Sequence, residues 1–149
     1  MTIYIAADHG GFALKQTLIT YLTPTQTVVD CGNMVLDPDD DASDYANELV
    51  HRMHNDKDSL GIVICRSAGA VCIAANRFSH IRCTAGRTIE QVKADCNDDH
   101  INVLALAADH TPTEMAKALV EVFIDAPRGK DQRFVRRVYK LGQFGTHLT

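Results

Sequence analysis

The feature that most constrains this fold is Leu60-Gly-Ile-Val-Ile-Cys-Arg-Ser-Ala-Gly-Ala-Val-Cys-Ile-Ala-Ala-Asn-Arg77. Gly61 to Ile64 is a short apolar, β-branched run, the pattern of a strand buried on both faces. Cys65 ends the run, Arg66 to Ala70 punctuates it, and Val71 to Asn76 begins an apolar helix. A strand that stops at a thiol, turns and enters a helix aims backbone N–H groups at one spot, where an anion can be held. The same geometry can favour the thiolate of Cys65. A structural cysteine at the end of a core strand fits the local sequence equally well, since free cysteine is among the most buried residue types.

Strands and helices alternate along the rest of the chain. Thr2 to Ala7 reads as a strand, followed by Asp8-His9-Gly10-Gly11 and a helix from Phe12 to Leu22 that Pro24 stops. Further strands are expected at Thr27–Asp30, Ile81–Ala85 and Asn102–Ala107. Helices are expected at Tyr45–Met53, Thr88–Ala94, Thr113–Ile124 and Gln132–Lys140. This alternation predicts an α/β three-layer sandwich, Rossmann-like, with a five-stranded parallel sheet covered on both faces. With 149 residues, no repeat and no linker, a single domain over 1–149 is expected. In such sheets the ligand lies at the carboxyl ends of the strands. Asp8-His9, Cys65 to Ala70 and the segment after Ala85 are therefore expected to line one crevice.

Composition narrows the class. The net charge of −4, with the signs mixed, points to neither nucleic acid nor an anionic membrane surface. Five cysteines without Cys-x-x-Cys spacing read as reduced thiols, not as a disulfide framework. No apolar run approaches the roughly 20 residues of a membrane span, and the N-terminus lacks the marks of a signal peptide. A soluble cytoplasmic protein is expected.

Several groups carry candidate chemistry. His9 beside a strand end, trailed by two glycines, is a ready acid, base or phosphate donor, and this outweighs an Asp8 N-cap with an incidental histidine. Arg133 and Arg137 share a helical face at i, i+4, suited to clamping one phosphate, but a solvated basic helix explains them more simply. Asp37 to Asp41 with Glu48 resembles a calcium loop only in its acids, since Ala42 stands where glycine is required; an exposed acidic loop is the expectation. His51 and His54 lack a third metal ligand, and no metal site is expected. Cys96-Asn-Asp-Asp-His100 reads equally as a turn or as a site loop.

Together these blocks resemble the family of ribose-5-phosphate isomerase type B and galactose-6-phosphate isomerase. The resemblance is carried by Ile5-Ala-Ala-Asp-His-Gly-Gly-Phe-Ala-Leu-Lys15, Asp44-Tyr45-Ala46, and Gly61-Ile-Val-Ile-Cys65 leading to Ile73-Ala-Ala-Asn-Arg77. Ile81-Arg82, Asn102-Val103-Leu104 and the Arg133/Arg137 pair complete it. The resemblance implies an aldose–ketose isomerase acting on a sugar phosphate through a cis-enediolate, without metal or nucleotide cofactor. It implies a homo-oligomer, dimer or tetramer, with active sites shared between subunits. Ribose 5-phosphate and ribulose 5-phosphate are the default pair. Cys65 would be the base, Ser67 a donor to a sugar oxygen, and the amides of Arg66, Ser67, Ala68, Gly69 and Ala70 a cradle for the oxyanion. Asp8 and His9 would contact the sugar and its phosphate, and Arg133 and Arg137 would bind phosphate from a partner subunit.

The departures from the family fall on the site. Arg66, Ala68 and Ala70 replace glycines of the family's turn, so any of these positions that needs φ > 0 changes the cradle. The family's His-Asn-Asp falls, without gaps, on Asp98-Asp99-His100, which makes His100 or Asp98 the surrogate ring-opening acid and Asp99 a substrate contact. A register with an insertion would use Cys96-Asn97-Asp98 instead. A family phosphate-binding arginine falls at Asp109, and a family tyrosine at Ala42. These changes leave two further readings: a sugar-phosphate-binding paralogue without the reaction, or an isomerase for another sugar phosphate.

Overall fold

A computed structural model describes residues 1–144. The last residues of the expected domain, 145–149, lie outside the described residues. The elements run β1 (Thr2–Ala7), α1 (Phe12–Leu22), β2 (Thr27–Asp30), α2 (Ala42–Met53), β3 (Leu60–Cys65) and α3 (Gly69–Ala75). They continue through β4 (Cys83–Ala85), α4 (Ile89–Asp99), β5 (Val103–Ala107), α5 (Thr113–Asp125) and α6 (Gln132–Leu141). The five described strands pair in parallel in the order β2-β1-β3-β5-β4.

The burial follows the period of two expected of strands covered on both faces. Ile3, Ile5, Ile62, Ile64, Leu104 and Leu106 face one side, where Leu18 of α1, Val92 of α4 and Phe123 of α5 pack on them. Ala6, Val63, Cys65, Val103 and Ala105 face the other, against Leu49 of α2 and Val71 of α3. All six residues of β3 are buried, as its uninterrupted apolar run requires. The architecture is the α/β sandwich read from the sequence. No helix among the described residues is long and apolar enough to cross a membrane.

Two boundaries shift with consequences for the site. Helix α2 begins at Ala42, not at Tyr45, so the acidic loop runs straight into its first turn. Helix α4 runs through Asp99, with His100 as a left-handed C-cap at φ 50°. Cys96 to His100 is thus neither a free turn nor a loop at the carboxyl edge of the sheet. Helix α6 packs beside α4 and buries none of its own residues.

Candidate active site

The strand order reverses between β1 and β3: β2 lies on one side of β1, and β3 opens the other. Such a switch point opens a crevice beyond the strand ends. Here Asp8 to Gly11, after β1, meets Cys65 to Ala70, after β3. Ala7 pairs with Ile64, and the Asp8 N–H donates to the Ile64 carbonyl at 3.3 Å. A Cβ on Gly11 would lie 2.6 Å from the Ile64 carbonyl oxygen, so only glycine permits this approach. The Gly11 N–H donates to Asp8 Oδ1 at 3.0 Å, which turns the chain into α1.

Cys65 is buried, at 4% exposure, and its carbonyl accepts from the Ala108 N–H at 2.8 Å. Beyond it Arg66, Ser67, Gly69 and Ala70 are exposed, and Ala68 is buried. Of the three family glycines replaced here, the one that meets a left-handed backbone is Ala68, at φ 66°, ψ −8°. The turn into α3 is therefore made with an alanine, at a cost of about 1–2 kcal/mol. The Arg66 stem lies over Gly10, and its Nε donates to Asp109 Oδ2 at 2.8 Å. A cation from this turn is thus paired with Asp109, the aspartate that the resemblance sets against an arginine. The segment after Ala85, expected in this crevice, is separated from β3 by β5.

His9 faces Asp40. Its Nδ1 lies 2.7 Å from Asp40 Oδ1, and its backbone N–H donates to the same oxygen at 2.9 Å. Asn33 Nδ2 donates to Asp40 Oδ2 at 2.5 Å. The His9 pKa is raised by its hydrogen bond to Asp40; partial burial opposes this, and the charge of Asp8 adds to it. Burial works against ionisation of Asp40, yet the hydrogen bonds from His9 and Tyr45 carry its pKa below the ordinary carboxylate value. Asp40 was expected in an exposed acidic loop, and in a run of acids no local signal singles out the one that turns inward.

A second cluster forms at the opposite edge of the sheet. Asp98, Asp99 and His100 precede β5, whereas Cys65 ends β3 and pairs with Ala107 at the far end of β5. One chain therefore does not bring His100 or Asp98 to Cys65; the strand direction separates them. The His100 ring Nε2 lies 2.8 Å from the Gly129 carbonyl, and Asp98 Oδ1 accepts from Asn97 Nδ2 at 2.6 Å. The Asp99 pKa is raised by burial and by its neighbours Asp95 and Asp98, with Arg137 pulling the other way. Asp99 also lines a cavity of about 830 Å³ with Arg82 and Thr84. Arg133 and Arg137 are exposed on α6, their guanidinium carbons 4.6 and 5.9 Å from the centroid of the Phe134 ring between them.

Comparison with known proteins agrees with this architecture and gives its family. Residues 3–141 match the Ribose/Galactose Isomerase family. The chain belongs to that family. The isomerase is 32% identical over 146 residues to ribose-5-phosphate isomerase B of Mycolicibacterium paratuberculosis, covering 97% of this chain and 91% of the relative. It is 35% identical over 140 residues to a probable ribose-5-phosphate isomerase B of Mycoplasma pneumoniae, covering 93% and 91%. A crystal structure of ribose-5-phosphate isomerase B from Mycoplasma genitalium with bound ribulose 5-phosphate matches it with a TM-score of 0.90 at 28% identity, covering 96% of this chain and 95% of that one.

Among the described residues of the isomerase, Asp8, His9 and Asp40 place potential ligand atoms within 4.8 Å of one another. The donors around them argue against a metal cage. Both Asp40 oxygens accept hydrogen bonds from His9 and Asn33, and Asp8 Oδ1 accepts from Gly11. The arrangement is a hydrogen-bonded network that orders a histidine.

Proposed function

We propose that the chain, as one isomerase domain, interconverts ribose 5-phosphate and ribulose 5-phosphate through a cis-enediolate with Cys65 as base. The observation that carries this reading is the meeting of Cys65 with Asp8-His9 at the switch point of the sheet, within a family of sugar isomerases. In the open-chain aldose, the Cys65 thiolate takes the C2 proton, and the electron pair moves through the C1 carbonyl to give the enediolate. Return of a proton to C1, with the O2 proton passing to O1, gives the ketose. Amide N–H groups of the Arg66–Ala70 turn face the developing oxyanion, and preorganised donors of this kind often supply the largest share of such a rate enhancement. On this reading the exposed Ser67 hydroxyl donates to the sugar. These steps call on no metal or nucleotide.

His9 and Arg66 flank the same strand ends as Cys65, His9 paired with Asp40 and Arg66 with Asp109. The second cluster completes the site from another copy of the chain, because one chain holds its two halves at opposite edges of the sheet. On this reading Arg133 and Arg137 of the second copy clamp the phosphate, and its Asp98–His100 segment assists ring opening. Helix α6 supports the assembly: Val135 and Tyr139, one turn apart, expose an apolar strip on it. A cytoplasmic setting suits the five thiol cysteines.

The test is exchange in deuterated water with ribose 5-phosphate, followed by NMR. Ribulose 5-phosphate should form with deuterium entering at C1, and Cys65→Ala should lower kcat by about 10²–10⁴-fold while still binding the sugar phosphate. Absence of both product and exchange with the native protein would overturn the reading in favour of a binding paralogue. Exchange with a tetrose or hexose phosphate alone would instead change the substrate.

A further inference from the structure

We propose that Asp40 is the positioning residue of His9, holding the ring by Nδ1–H and favouring the imidazolium, whose Nε2–H then donates to the phosphorylated substrate. The proposal rests on the reading of His9 as a substrate contact. Asp40 is the one acid of its run that is withdrawn from solvent: its side chain is 4% exposed, whereas Asp37, Asp39 and Asp41 are exposed. A carboxylate is buried in this way only when its oxygens are satisfied, and here the donors are specific. One oxygen takes both the backbone N–H and the ring of His9, and the other takes Asn33 Nδ2. Tyr45, on the first turns of α2, stands beside the same group, its pKa raised by burial and by the charge of Asp40. Asp40 thus holds the chain after β1 and the imidazole on it as one unit.

The bond decides the chemistry of the ring. A neutral histidine exists as two tautomers, and a carboxylate at one nitrogen selects the form with the proton on that side. The same carboxylate favours the imidazolium, which suits a phosphate dianion. The groups facing His9 are Asp8 at the end of β1, Arg66 from the turn after β3, and Asp40 with Tyr45 behind it at the start of α2. Arg66 opposes protonation of His9, while Asp8 and Asp40 favour it. Arg66 is itself turned to Asp109, so the balance at His9 is governed by Asp40.

Asp40→Asn tests this without removing the side chain, since the amide oxygen can still accept from the His9 backbone. His9 is followed by ¹⁵N–¹H NMR across pH in the sugar-free full-length protein, its signal assigned by its loss in His9→Gln. In Asp40→Asn the His9 midpoint should fall by about one pH unit, with loss of the single Nδ1–H tautomer. The KM for ribose 5-phosphate should rise about tenfold, more at the alkaline end of the profile than at the acid end, with kcat changing less. Asp40→Glu should restore much of the His9 midpoint. An unchanged His9 titration in Asp40→Asn, or a wild-type KM–pH profile, overturns the assignment. Should the native protein fail to convert ribose 5-phosphate, the isomerase reading falls, while the sugar-free titration, together with inorganic phosphate as the anion, still decides the role of Asp40.

Discussion

Asp30→Asn should cost far more than a surface ion pair would. The Lys15 side chain is 0% exposed, and its Nζ donates to Asp30 Oδ1 and Oδ2 at 2.7 and 2.8 Å and to the Asn33 carbonyl at 2.6 Å. Asparagine keeps the shape but withdraws the charge that offsets a fully buried ammonium. Removing one partner of such a pair typically costs about 3–5 kcal/mol, and the lower half of that range applies here because Asp30 is 24% exposed. For a chain of this size each kcal/mol shifts Tm by about 2–4 °C, so a fall of roughly 6–16 °C is expected. Lys15→Met leaves the Asn33 carbonyl without its donor, at about 1–3 kcal/mol. The double variant, with both charges gone, should therefore be less destabilised than the two singles combined. Urea denaturation of the four proteins gives the coupling energy directly. A coupling below about 0.5 kcal/mol, typical of an exposed pair, would refute the argument. The perturbation also reaches the site, because Asn33 holds Asp40, which in turn holds His9.

Gly11→Ala drives a methyl group against the Ile64 backbone, with its carbonyl carbon at 2.8 Å, and backbone cannot rotate away as a side-chain end can. A loss of about 1–3 kcal/mol by urea denaturation is expected, with a lowered kcat because Cys65 follows the displaced residue. Stability should also carry a His9 signature in pH. The folded-state pKa of His9 is raised, so its contribution is complete below the unfolded value of about 6.5 and is lost as pH rises through the folded value. The stability difference between wild type and His9→Gln, measured by denaturation from pH 5 to pH 9, should shrink toward alkaline pH; a difference that grows would contradict the Asp40 bond.

Local patterning settles a great deal of this molecule. An all-apolar run such as Leu60–Cys65 has nowhere to go but a buried central strand. The alternation of such runs with helices leaves a covered parallel sheet as the way to bury both. That Asp8-His9 and Cys65 would be neighbours was legible because strand ends in these sheets converge on one edge, whatever the details of packing. The i, i+4 spacing of Arg133 and Arg137 likewise gave a shared face, now seen as two guanidinium groups about one phenylalanine ring. Tertiary structure decided what periodicity cannot carry. Asp40 is one acid in an acidic run, and only the docking of the loop on Asn33 and His9 sets it apart. The residues Asp98 to His100 sit at the far edge from Cys65 because α4 runs antiparallel to the strands it joins, so that what ends a helix begins the next strand. Ala68 holds a left-handed turn that its side chain disfavours, since the ends of β3 and α3 dictate the path between them. Propensity and spacing act over a few residues, but the partner of a charge and the edge of a sheet are set by chain segments far apart in sequence.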